Sequence, residues 1–466
     1  MLAIESPIGC KNELDYIFGV IFGDWLGVPW THVQTERSDV IVTLSGHRGA
    51  VRTPHRFFAQ FAEFPENWLN VTSVPQLPLA TYDARKLDSD ILMTAPRVPI
   101  VFGDDHADTS PTDVEMQIPI DVFGSAFFML TRYEEACITE RDEHDRFPAT
   151  ASLAFKADFL ERPIIDEYVE ILWAAMQKVW PSLQRRQRQA RILVSCDVDR
   201  PFTFDGSLKK FARRFAGDLL KRRSPKMAWG SIWGSAGARR GRYEHDPFRN
   251  GLKFIMDVNE RAGRAAAFYF IPEKTDATRD QSPSLDEPRM RELIREIRKR
   301  GHEIGLHPGF NTYKHPEAMT RTVQTLRRVL DEEQIDQPQL GGRQHYLRWE
   351  NPTTAQLWEQ NKLDYDSTLS YADRPGFRCG TCHEYQMYDV RQRRPLNLRQ
   401  RPLILMECTV IEDCYMGLGY SSEALSTMVR LKQICQKFSG DFSILWHNSH
   451  FDNRMDFEFY QQLVST

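Results

Sequence analysis

Hydrophobic and polar positions follow two different rhythms along the chain. In roughly the first 185 residues the pattern is mixed. Val40–Leu44 (VIVTL) is a short β-branched run that predicts a strand. Residues 85–120, rich in Asp, Pro and Thr, predict loop. Ile120–Tyr133 (IDVFGSAFFMLTRY) sets Phe123, Phe127, Met129 and Leu130 near helical spacing. A second helix opens at Pro163 and Asp166 and places Ile165, Val169, Ile171, Leu172, Ala175 and Met176 on one face. It ends at Trp180-Pro181, because proline lacks the amide hydrogen and disfavours helix in the residue before it. Together these elements predict an α+β domain over residues 1–185.

Residues 183–191 (LQRRQRQAR) are polar and basic and read as a linker. From Ile192 onward, short apolar runs alternate with amphipathic stretches. Strands are predicted at 192–196, 265–271 (AAAFYFI), 302–306 (HEIGL), 365–369, 403–408 and 442–446, with a strand end within 340–347. Helices are predicted at 288–300, stopped by Gly301, and at 316–330 and 353–361. This alternation predicts parallel βαβ units over residues 190–466, closed as a barrel or left as an open sheet.

Composition narrows the function classes. At 41% hydrophobic and 27% charged, the 466-residue chain has the mix of a folded protein. Sixty basic residues against sixty-four acidic ones leave a net charge of -4, which argues against a nucleic-acid partner. No run approaches the roughly 18 apolar residues that span a bilayer; the longest early one, 16–30, is broken by Asp24. The start, MLAIESPIGCKNELD, lacks a basic leader region, so the expected location is cytoplasmic, with the eight cysteines reduced. One local departure from neutrality matters. Residues 208–226 (LKKFARRFAGDLLKRRSPK) hold eight basic residues and one acid, with Leu208, Phe211, Ala212, Phe215, Ala216 and Leu219 on one helical face. Such a segment packs on the domain with a solvated basic face, or lies on an anionic membrane at its inner face. The following WGSIWGSAGARRGRYEHDPF reads as a long loop near the site.

Candidate chemistry collects where parallel α/β folds keep it, at the carboxyl ends of strands. Asp197 and Asp199 follow the first strand two residues apart, so both carboxylates face one side. Two close acids demand a cation between them or a raised pKa. His307 follows HEIGL and precedes a Pro308-Gly309 turn. Arg343, His345 and Arg348 stand in GGRQHYLRW, where the glycines admit close backbone approach and the arginines suit carboxylates or anionic sugars. Asp364 and Asp366 flank the next strand, and Glu407 is a lone acid in LILMECT, costly there unless paired. His447 and His450 end the last strand. Cys379-x-x-Cys382 offers two of the four ligands of a structural zinc, or simply two thiols in a Gly-rich loop over the site.

The order Asp-x-Asp, GHEIG-Leu-His, an arginine at a strand end and an apolar strand ending in His resembles the polysaccharide deacetylases (carbohydrate esterase family 4, the NodB homology domain) over residues 190–466. Residues 1–185, through DVFGSAFFMLTRYEE and DRFPAT, resemble the accessory domain of a subgroup associated with bacterial surface-polysaccharide or O-antigen biosynthesis. The resemblance implies an irregular (β/α) barrel behind an α+β accessory domain. It implies Asp197 as catalytic base, Asp199 and His307 as metal ligands, Arg343 as the arginine that orients the base, Asp366 as the fourth-motif acid and His447 as general acid. The family's second histidine is here Asn311, a poorer ligand for zinc, so the third ligand is Asn311 or His345. Arg348, Glu407 and His450 are the candidate substrate contacts.

The implied activity is removal of an N-acyl group, acetyl or formyl, from an amino sugar of a surface glycan. The implied cofactor is a divalent ion, foremost zinc. The glycan would be lipid-linked and met before export, with peripheral membrane contact through residues 208–226. The competing readings are a catalytically degenerate glycan-binding protein, for which Asn311 argues, and a glycoside hydrolase using Asp197 and Glu407.

Overall fold

The computed structural model describes residues 1–104, 115–204, 207–220 and 225–465. Part of the predicted 85–120 loop (105–114) and part of the basic segment (221–224) lie outside the described residues. The chain divides into two compact units. The first comprises Met1–Arg191, Leu347–Leu405 and Arg430–Ser443; the second comprises Ile192–Tyr346, Met406–Val429 and Ile444–Thr466. The segments 347–405 and 430–443, grouped by pattern with the C-terminal domain, therefore cluster with the N-terminal residues.

In the first unit a five-stranded sheet runs in the order Trp30–Thr35, Leu2–Pro7, Asp39–Leu44, Ala50–Pro54, Glu115–Gln117. The predicted helix at 120–133 divides in two, Val122–Leu130 and Tyr133–Cys137, because Arg132 adopts a left-handed backbone (φ 51°). Asp121 caps the first piece by accepting from Gly124 N (2.8 Å), and its other oxygen accepts from Phe57 N (2.9 Å). The break at Arg132 turns its guanidinium into the core, where it meets Glu134 (2.7 Å) and Glu135 (2.8 Å); Arg378 grips Glu135 through two bonds of 2.9 and 2.6 Å. The TRYEE sequence thus encodes a buried, mutually neutralised charge network.

Helix Ile164–Val179 matches its predicted span and buries Asp166. Asp166 accepts from Thr381 Oγ1 (2.6 Å) and Cys382 N (3.0 Å). Cys379 and Cys382 are buried free thiols in this unit.

The second unit is α/β. Its strands Arg191–Val198, Ala267–Phe270, Glu303–Leu306 and Gly341–Gly342 are neighbours and all parallel. Their register pairs Val198 with Phe270, Phe270 with Leu306, and Leu306 with Gly342, so all four strands end level at one edge. Gly342 permits this closeness: a Cβ there would lie 1.8 Å from the Leu306 carbonyl. Trp446 N donates to Ser195 O (3.0 Å), which brings the end of strand Asp441–Leu445 beside the first strand.

The Trp/Gly-rich stretch expected as a loop is helical in its first half, within helix Pro225–Ala238, and non-helical over 239–246 before helix Pro247–Arg261. Two of the three glycines of helix Pro225–Ala238 sit where neighbours crowd it; a Cβ at Gly234 would come within 2.7 Å of the Phe204 ring, and one at Gly237 within 2.7 Å of the Arg242 carbonyl. Glu407, read as part of a strand, opens the short helix Glu407–Ile411.

Burial raises the Asp166 carboxyl to about 7. A folded value above the unfolded one of about 3.9 means the native state keeps a proton that the unfolded chain has released. That contribution is complete below pH 4 and is lost as pH rises toward 7, by an amount on the order of 4 kcal/mol. Thermal melts of Asp166→Asn should show a smaller decline between pH 5 and 8 than the unaltered chain; parallel declines would refute the assignment.

Candidate active site

Level strand ends bring the residues that follow them together. Asp197 and Asp199 come from the first strand, His307 directly follows the third and Arg343 the fourth. Arg343 is completely buried. It donates to Asp197 Oδ1 (2.8 Å) and Ser195 Oγ (2.9 Å) and lies over the Tyr269 ring at 5.2 Å. This fixes the Asp197 carboxylate, whose Oδ2 is 3.7 Å from His307 Nε2.

Asp199, His307 and His345 form a trio whose ligand atoms lie within 4.8 Å of one another. His307 Nε2 is 3.2 Å and His345 Nε2 3.5 Å from Asp199 Oδ1. The other ring nitrogens decide what these distances mean. His307 Nδ1 lies 2.6 Å from the Arg343 carbonyl oxygen, which can only accept, so Nδ1 carries the hydrogen. His345 Nδ1 likewise faces Asp280 Oδ1 at 2.8 Å. In the neutral rings both Nε2 atoms then offer lone pairs toward a carboxylate oxygen. No hydrogen-bond donor is aligned on Asp199 Oδ1, although it is buried. Three electron-pair donors converging without a hydrogen between them fit a divalent cation, and imidazole with carboxylate is a donor set that suits zinc. Burial pushes the Asp199 carboxyl up, but the charges of His345 and His307 outweigh it and hold it well below the usual range.

Asn311 is held beside the Thr275 loop. Its side-chain nitrogen donates to the Thr275 carbonyl (2.9 Å), and its backbone N–H donates to Thr275 Oγ1 (2.9 Å). Of the two candidates for the third position, His345 is the one whose ring nitrogen lies with Asp199 and His307.

His447 completes the site. Its Nε2 is 3.7 Å from Asp199 Oδ2, and its Nδ1 is 2.6 Å from Glu407 Oε1, which also accepts from the His447 backbone N–H (2.9 Å). Burial disfavours the charged ring, but the Glu407 charge lifts its pKa well above 6.5. Burial alone would raise Glu407; His447 draws it down to about 2. Glu407, expected as a substrate contact, is therefore the carboxylate partner of His447. His450 stands beside this pair, its Nε2 3.6 Å from Cys408 Sγ.

Two expected site residues belong to the first unit. Asp366 accepts from Thr368 N (3.0 Å). Arg348 donates to the His144 carbonyl (2.8 Å). The pattern missed Asp280, which lies ten residues past a strand end with nothing nearby to link it to His345. Glu407's pairing did leave a signal, since an isolated acid in an apolar run needs a partner.

A family model described as a family of unknown function (DUF7033) matches residues 2–181. No curated protein matches. Among solved structures, one named as a polysaccharide deacetylase from Mycobacterium smegmatis is 15% identical with a TM-score of 0.38, over 60% of this chain and 86% of its own. A second so named, from Pseudomonas aeruginosa PAO1, is 12% identical with a TM-score of 0.37, over 67% and 90%. An allantoinase, Puue, is 14% identical with a TM-score of 0.35, over 61% and 85%.

Calorimetric titration of chelator-treated protein with zinc separates the candidate ligands. His345→Ala should abolish stoichiometric uptake. Asp280→Asn, which loosens the ring behind the ligand, should weaken it about 10–100-fold, and Asn311→Ala should leave it unchanged. Uptake that survives His345→Ala but not Asn311→Ala would reverse the assignment.

Proposed function

We propose that this protein is a metal-dependent hydrolase that removes an N-acyl group, acetyl or formyl, from an amino sugar of a bacterial surface polysaccharide such as O-antigen, using the irregular (β/α) barrel that its motifs imply. One observation carries the reading: a fixed carboxylate and a carboxylate-paired imidazole each lie 3.7 Å from a member of one metal-ligand trio. Asp199, His307 and His345 would hold the ion. When bound, a divalent ion, zinc in this reading, supplies Lewis acidity toward an amide carbonyl and makes water a usable nucleophile near neutral pH.

The chain's own residues supply the proton traffic. Asp197 Oδ2 accepts a proton from the attacking water as the C–O bond forms, while Arg343 holds Oδ1 and keeps the carboxylate aimed. The amine leaves as the C–N bond breaks and must be protonated as it goes. His447, kept cationic by Glu407, donates that proton from Nε2. The products are a carboxylic acid and a free amine. A substrate contact by His450 fits its place beside this pair.

The hydrolysis of glycosidic bonds by Asp197 and Glu407 finds less support, because Arg343 holds the first and His447 the second. A pure binding protein would have no use for a base and an acid flanking a trio of ligands.

Zinc-loaded protein incubated with N-acetylated and N-formylated amino-sugar oligosaccharides should release acetate or formate. Asp197→Asn and His447→Gln should each lower kcat by about 10²–10⁴-fold while still taking up the ion. Full activity in Asp197→Asn would overturn the mechanism.

The reading extends to a lipid-linked form of the glycan, met at an anionic membrane face. Helices Leu208–Leu220 and Pro225–Ala238 expose Leu208 (67%), Leu220 (80%), Trp229 (64%) and Trp233 (56%) within a strongly basic stretch. Among the described residues no helix is long and apolar enough to cross a membrane. Exposed tryptophan with flanking cations suits shallow insertion among anionic headgroups. Co-sedimentation should be stronger with phosphatidylglycerol vesicles than with phosphatidylcholine, fall with salt, and drop in the double variant Trp229→Ala/Trp233→Ala. Equal co-sedimentation of that variant would sink this extension.

A further inference from the structure

The second unit also holds a cavity of about 990 Å³, one of whose lining residues, Asp280, is hydrogen-bonded to His345 of the trio. Asp280, the carboxylate behind His345, forms part of its wall, as does Arg200, the residue after Asp199. Five cations line it: Arg200, Arg213, Arg214, Lys274 and Arg289. Only two carboxylates do, Asp280 and Glu287, and both are already engaged.

Asp280 accepts from the backbone N–H groups of Thr275 (2.6 Å), Asp276 (2.8 Å) and Phe310 (2.9 Å), from the Thr275 hydroxyl (2.9 Å) and from His345. Glu287 accepts from Arg289 (2.7 Å). Arg214 pairs with Asp452 at 2.5 Å. Among the described residues no carboxylate pairs with Arg200, Arg213 or Lys274.

Several like charges facing one concavity repel one another, and the arrangement is favourable when an anion fills it. The guanidinium groups are held ready for one. Arg200 and Arg214 lie over the Phe248 ring at 5.3 and 5.7 Å, and Arg289 lies over Phe202 at 5.1 Å. Stacking fixes the plane of a guanidinium while leaving its N–H edge for a bidentate oxyanion. The volume lies near the top of the range of small-ligand pockets, about 300–1,000 Å³. That is more than a single sugar ring requires. A neutral glycan would leave three positive charges uncompensated, and one carboxylate would still leave two. A diphosphate ester supplies two closely spaced negative charges and several acceptor oxygens, compensating more of this charge than a single carboxylate does.

We propose that this cavity is a phosphate subsite: the amino sugar reaches the trio carrying a diphosphate ester that sits among Arg200, Arg213 and Lys274. This rests on the hydrolase reading above and narrows its substrate to sugars still attached to a phosphorylated carrier, nucleotide or polyprenyl.

The probes are inorganic pyrophosphate, N-acetylglucosamine, uridine diphosphate N-acetylglucosamine and a short-chain polyprenyl diphosphate N-acetylglucosamine. Binding is followed by calorimetry on chelator-treated full-length protein, so that pyrophosphate cannot act through a metal. Pyrophosphate and the two diphosphate sugars should bind, with affinity falling as salt rises, and the free sugar should bind about a hundredfold more weakly or not at all. Arg200→Ala/Lys274→Ala, both exposed positions, should keep its melting temperature and lose at least about tenfold in diphosphate affinity. Arg200→Glu should lose more. The preferred diphosphate sugar identifies the carrier.

Pyrophosphate affinity that is unchanged in these variants, or no binding at low salt, overturns the subsite. The two readings can fail separately. If no sugar is deacylated yet diphosphate binding follows Arg200 and Lys274, the reaction falls and the subsite stands. If free and diphosphate-linked sugars are deacylated at equal rates, and the variants leave those rates alone, the subsite falls and the reaction stands.

Discussion

The site is organised around one buried guanidinium. Arg343 cannot shed its charge, and inside the second unit it must find acceptors. It finds Asp197 and Ser195 on the first strand, across the two strands between, while its own carbonyl accepts from His307 Nδ1 and its backbone N–H donates to Leu306 O. A single residue therefore fixes the Asp197 carboxylate, sets the tautomer of His307 and ties three strand ends together. Lysine could not replace it, because a point charge cannot reach Asp197 and Ser195 along two fixed directions at once. The level register makes this possible. Were Gly342 any larger, the Leu306 carbonyl would exclude it and Arg343 would not arrive where Asp197 needs it.

The same rule, that a buried charge must be matched, produces different results in the two units. In the first, Arg132, Glu134, Glu135 and Arg378 neutralise one another completely, and every guanidinium edge is consumed. Such a network holds chain segments together and leaves nothing for a ligand. In the second, the matching is deliberately incomplete. Among the described residues Asp199 Oδ1 has no aligned donor, the Nε2 atoms of two imidazoles face it, and three cations of the cavity lined by Asp280 lack carboxylate partners. Unmatched polar groups of this kind are unfavourable in isolation and persist where a ligand or a reaction satisfies them.

This contrast explains what could be read from the chain. Strand ends were legible because apolar runs terminate visibly and acids and histidines follow at once; Asp197, Asp199, His307, Arg343 and His447 all come from that signal, and they meet in one place. Asp280 was not legible. Its function comes from a contact with His345 that 65 positions of sequence separate, and its own loop carries no period. The helix Pro225–Ala238 was hidden by its glycines and tryptophans, which read as loop although Gly234 and Gly237 answer to neighbours pressed against the helix. The break at Arg132 escaped because nothing local distinguishes a left-handed arginine from a helical one; the buried carboxylates that stabilise it are what select it.

Assigning the acid behind His447 shows where carrying roles by motif order stops. Order along the chain relates Asp366 to a motif acid and names no partner for His447, because order preserves sequence and not distance. An imidazole that must stay cationic in a buried place needs a carboxylate on its far nitrogen, and the residue 2.6 Å from Nδ1 is Glu407. Glu407 does this from the first turn of a helix, where the positive end of the backbone dipole adds to the stabilisation of its charge. It also accepts from the His447 backbone N–H, so the pair is fixed in direction as well as in charge. The requirement is for an ionised oxygen at that point, and a glutamate on a different element meets it as well as an aspartate at a strand end. The chemistry constrains the position of the charge; the chain is free to choose which residue brings it.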